Sequence, residues 1–67
     1  MDYATEVQRT AFRFVERYGD GAVEVIRQFC LTAHMKGDVV AFQLGRDVDV
    51  AADELLMARS EQHEGSR

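Results

Sequence analysis

Few side chains in this chain are able to do chemistry. Its 67 residues hold two histidines, His34 and His63, and one cysteine, Cys30. An imidazole serves as a base or a metal ligand only with a carboxylate or a second ligand beside it. Asp49 and Asp53 stand one helical turn apart, and with His34 they would form a thin transition-metal set of two carboxylates and one imidazole. Nothing in the spacing brings His34 to them. A structural or solvated imidazole is expected, and a metal- or ligand-dependent sensor is the third-ranked function. Cys30 has only Arg27 as a local cation, whereas a reactive thiol needs exposure and positive charge. A small buried apolar residue is expected there. Ser60 and Ser66 both lie near the C-terminal end, and no glycine-rich phosphate loop or nucleophile–base signature occurs. No catalytic, cofactor-binding or metal residue is assigned, and the chain reads as a non-enzyme.

The strongest function-like feature is the stripe Arg9, Arg13 and Arg17, repeating every four residues. Guanidinium groups so spaced on a helix can bind phosphates. The formal net charge is −4, however, and the acidic excess lies mainly in residues 38–60. Nucleic-acid domains generally show a positive footprint. If residues 38 onward were a recognition helix, Asp38, Asp47, Asp49, Asp53 and Glu54 would face the phosphates of a major groove and be repelled. The arginines are expected instead to pair with Asp47, Asp49, Asp53 or Glu54, within or between subunits. A nucleic-acid-linked regulator using the stripe is the alternative function.

The elements that must position these groups are helices. Gly19-Asp20 and Gly37-Asp38 punctuate the chain. Glycine past a helix end adopts a left-handed conformation without a Cβ clash, and aspartate caps the next helix. Helices are predicted over about 3–18, 21–36 and 39–60, forming one domain over 1–60. In the first, Ala4, Val7, Ala11, Phe14 and Tyr18 share a face. In the second, Ala22, Val23, Ile26, Phe29, Cys30 and Ala33 share one, while Leu31 and Met35 point nearly the opposite way. The third carries a heptad of Ala41, Leu44, Val48, Ala51, Leu55 and Ala58, broadened by Leu56. Gly45 interrupts its propensity, but the heptad keeps phase across it, so one continuous helix is expected. Residues 61–67 have no apolar anchor and are expected to fray or be disordered.

The stretch Arg17-Tyr18-Gly19-Asp20-Gly21-Ala22-Val23, then Gly37-Asp38, then Val48 through Leu56, resembles a layout of short uncharacterised helical proteins of alphaproteobacteria. That resemblance covers roughly residues 9–56 and implies an all-helical bacterial protein, with no activity and no catalytic residue to carry over. Such relatives carry a large aromatic where this chain has Gly45.

Size completes the expectation. Below roughly 70–80 residues one core rarely supplies more than about 3–5 kcal/mol. One cysteine allows no internal disulfide, so self-association is the default. The expected fold is all-α, a three-helix bundle or array completed as a homodimer. Leu44, Val48, Ala51, Leu55 and Leu56 are the first choice of seam. Leu31 and Met35 are the second, and become the better one if the third helix supplies the monomer core. The expected function is a small protein–protein interaction or adaptor module that associates with itself and with an unidentified protein partner. No apolar run approaches the roughly 18 residues of a membrane span. Met1-Asp2-Tyr3 lacks the basic region and apolar core of a signal peptide, so a cytoplasmic location is expected.

Overall fold

A computed structural model describes the backbone of residues 2–65 and the side chains of residues 2–59. All regular structure among them is helical: α1 spans Tyr3–Tyr18, α2 Ala22–Lys36 and α3 Val39–Gly65, with a short 3-10 turn at Gly19–Gly21 between α1 and α2. The apolar spacing of the sequence accounts for each. Val7, Ala11 and Val15 recur every four residues and are the buried face of α1. Ala22, Ile26 and Ala33 do the same for α2.

The glycines of the two Gly-Asp pairs both take positive φ at a helix end, but the closures and the starts of the next helices differ. Gly37 has φ +73, and its N–H and that of Asp38 close onto the carbonyls of His34 and Ala33 at 3.1 and 2.9 Å. This double closure needs a left-handed residue at position 37, which glycine supplies. Asp38 Oδ1 then accepts the Ala41 N–H at 3.1 Å and caps α3. Gly19 also has positive φ, but Asp20 makes no capping bond. The 3-10 turn moves the α2 cap to Gly21, so the cap expected at Asp20 is absent.

α3 passes through Gly45 without a break and runs to Gly65. The expected boundary at 60 marks the end of the apolar stripe, not of the helix. Glu61, Gln62 and Glu64 are ordinary helix formers that extend a helix already nucleated by packing. The side chains of the expected tail lie outside the described residues, as do residues 66–67 altogether.

Both shorter helices pack mainly on α3 and touch each other little. α1 runs parallel to α3: Tyr3 bonds Asp47 at one end, and Phe12, Val15 and Gly19 lie against Leu55 and Arg59 at the other. α2 runs antiparallel, with Arg27 opposite Asp49 and His34 opposite Phe42. The core lies where the three meet and is made of Val7, Ala11, Val15, Ala22, Ile26, Val48, Ala51 and Ala52.

Candidate interaction surface

The core is built from small side chains. Ile26, 1% exposed, is its largest fully buried member. Not one of the four leucines or six aromatics is fully buried, nor is Met35 or Met57. Small residues let the helices approach closely but leave little volume to hide large ones. The bulky apolar groups therefore collect at the edges and outside.

Gly45 shows how close the approach is. A Cβ there would stand 2.6 Å from Cys30 Sγ and 3.0 Å from the Phe29 ring. Glycine at this position lets α2 seat against α3, which explains a residue that costs about 1 kcal/mol of helix propensity. Cys30 is half-buried over it. Burial first, and Asp49 second, push its thiol pKa up against a smaller opposite pull from Arg46. A neutral thiol results, the reverse of an activated nucleophile.

Beside Phe29 and Gly45 the chain is less tightly closed, and an apolar cleft with a cavity of about 170 Å³ opens among the three helices. Thr10 and Phe14 of α1, Ile26 and Phe29 of α2, and Leu44, Gly45 and Val48 of α3 line it. Phe29 is 44% exposed, and Phe14 and Leu44 are half-buried. Phe14 also stacks on Tyr18, ring centroids 6.0 Å apart, and borders a shallow surface formed with Arg13 and Arg17.

The arginine stripe lies along the outside of α1. Arg9 reaches Glu6 of its own helix at 4.0 Å. Among the described residues, Arg13 and Arg17 meet no carboxylate. The interhelical pairing expected of the stripe does not occur within the chain, because the acids of α3 are engaged elsewhere or face away. Asp47 accepts the Tyr3 hydroxyl and, at 3.3 Å, the Gln43 amide. Asp49 Oδ2 faces Arg27 Nε at 3.7 Å. Asp53 and Glu54 are exposed. The one interhelical ion pair among the described residues thus uses Arg27, which is not part of the stripe.

His34 is exposed and packs against the Phe42 ring at 5.6 Å. Among the described residues no three His, Cys, Asp or Glu side chains are placed to hold a metal ion. Asp49 faces α2 at Arg27 rather than at His34.

The expected seam residues divide into two groups. Val48 and Ala51 lie inside the core, and Leu44, Leu55 and Leu56 pack half-buried against it. Leu31 and Met35 stand outside, 51% and 77% exposed. Sequence reasoning assigned Phe14 and Phe29 to core faces and so missed the cleft. The available signal was Gly45: a glycine inside an in-phase heptad marks close approach by a neighbour, and what packs there displaces its own neighbours outward.

Among the described residues no helix is long and apolar enough to cross a membrane. Compared with protein-family models, curated proteins and solved structures, the chain matches none.

Proposed function

We propose that the chain is a small, non-enzymatic interaction module whose first partner is a second copy of itself, with the three helices forming half of a shared core. One observation carries this: small residues fill the inside while Phe12, Tyr18, Phe29, Leu31 and Met35 remain exposed. A small cavity without a convergent set of polar groups supports binding rather than catalysis.

Sedimentation across a concentration series tests the reading. A mass of two chains that falls to one on dilution is expected. A folded single chain at every concentration would refute it.

The second reading, a nucleic-acid-linked regulator, draws support from Arg13 and Arg17, which have no carboxylate partners among the described residues. Its test is a gel shift at low salt, with binding lost in Arg13→Glu and Arg17→Glu. The acidic net charge of the chain weighs against it.

A further inference from the structure

We infer that the outer face of α3, turned away from α1 and α2, is the seam between two copies, with the two α3 helices antiparallel across a twofold axis near Val50. This rests on the self-association reading and names its surface.

Three observations select this face and this occupant. The first is spacing. Val39, Gln43, Arg46, Val50, Asp53 and Met57 recur at alternating steps of four and three, the a and d positions of a heptad. This stripe is distinct from the one that builds the core. Val48, Ala51 and Ala52 are buried on the side of α3 where α1 and α2 pack, whereas every member of the second stripe is exposed. Its apolar members Val39, Val50 and Met57 are 76%, 60% and 63% exposed.

The second is charge. Arg46 and Asp53 stand two turns apart on this face, with Val50 between them. Among the described residues neither meets an opposite charge. Arg46 rests 5.9 Å from the ring of Phe42 on its own helix. A stripe with a cation on one side of its centre and an anion on the other is complementary to a reversed copy of itself. When the helices are antiparallel, Arg46 of one copy comes level with Asp53 of the other, on the same side of the seam. Val50 then lies beside its symmetry mate, and Met57 reaches Phe42 and, one turn on, Val39. Parallel helices would instead set Arg46 on Arg46 and Asp53 on Asp53, which is repulsive. Twofold symmetry makes each pair twice, so a single substitution is felt twice.

The third is the weakness of the rival helix face. On the outside of α2, Leu31 and Met35 share their stripe with Glu24 and Gln28. An antiparallel pairing there sets Glu24 against Met35, with no cation on the stripe to meet it.

The test uses the full chain, with sedimentation as the readout and far-UV circular dichroism as the check on folding. Arg46, Val50 and Asp53 are exposed, so Arg46→Glu, Val50→Glu and Asp53→Arg leave the monomer folded. Each is expected to weaken the dimer by about tenfold or more at low salt. The double variant R46E/D53R is expected to recover to within about threefold of the wild type. Leu31→Glu and Met35→Glu are expected to leave the dimer unchanged. Three results would overturn the seam while leaving self-association standing. They are a dimer insensitive to Val50→Glu, a double variant no tighter than the single reversals, or a dimer lost in Leu31→Glu or Met35→Glu but not in Asp53→Arg. A wild type that stays monomeric at millimolar concentration would overturn both the seam and the function it rests on.

Discussion

The α2–α3 contact and the α1–α2 cleft share Phe29 as a common wall, yet one is closed and the other open. Between α2 and α3, Gly45 lets the helices meet, and Cys30 and Phe29 fill the room over it. Between α1 and α2, Thr10, Phe14 and Phe29 face each other across a cavity of about 170 Å³. A small residue opposite a large one closes a seam, whereas large residues opposite one another hold it apart until a further group fills it. The fold of the single chain depends on the first contact.

The largest expected effect is on the closed side. Ile26→Ala removes the one large side chain that is wholly buried. Such a change costs about 2–5 kcal/mol, comparable with the total stability of a domain this small. Urea melts followed by circular dichroism should show a largely unfolded chain at low protein concentration. Phe29→Ala should behave differently: the ring is 44% exposed, so the chain remains helical and its urea midpoint falls less. Equal effects of the two changes on folding would erase the distinction between the regions.

Next comes Gly45→Ala. Helix propensity alone favours alanine by about 1 kcal/mol. Overpacking against Cys30 and Phe29 costs about 1–3 kcal/mol and wins. The urea midpoint should fall, and adding Cys30→Ala should recover most of the loss. A rise in midpoint for Gly45→Ala alone would show that the α2–α3 contact is looser than described.

The two Gly-Asp pairs provide a smaller contrast. Asp38→Ala removes a capping bond and should lower stability by about 0.5–2 kcal/mol. Asp20 makes no such bond, so Asp20→Ala should change the melt by no more than a few tenths of a kcal/mol. Equal losses at the two sites would contradict the different starts of α2 and α3.

The smallest effect concerns alkaline pH. The hydrogen bond to Asp47 is the main cause raising the Tyr3 pKa above its ordinary 10.0, and burial raises that of Cys30 above 9.0. Both groups are neutral below these values, and the folded state holds their protons more tightly than the unfolded chain does. The contribution of Tyr3 is therefore complete below pH 10 and that of Cys30 below pH 9, and each is lost as pH rises through the folded-state value. A pH series of thermal melts should decline on the alkaline side, more shallowly in Tyr3→Phe. Iodoacetamide should label Cys30 at pH 8 more slowly than it labels a free cysteine.

Much of the local architecture was legible in the sequence. The helical spacing of Ala4, Val7, Ala11, Phe14 and Tyr18 placed α1, and an unbroken heptad carried α3 through Gly45. The start of α2 was displaced because a 3-10 turn and an aspartate cap draw on the same Gly-Asp-Gly residues. The cleft was not legible. Periodicity says which face of a helix an aromatic occupies, but not how far the facing helix stands from it. That distance depends on residues elsewhere, here on Gly45, which lets α2 and α3 meet. The arginine stripe was visible, whereas the absence of interhelical carboxylates beside it among the described residues was not, because Tyr3 and Arg27 hold Asp47 and Asp49.

The central claim is the proposal that the chain associates with a second copy of itself. An isotope-filtered nuclear Overhauser experiment on a one-to-one mixture of labelled and unlabelled chain tests it most directly. The account predicts contacts between chains from exposed apolar side chains: Val39, Val50 and Met57 at the inferred seam, or Phe29, Leu31 and Met35 where another face associates. No contacts between chains, in a chain that stays folded and single, would contradict it.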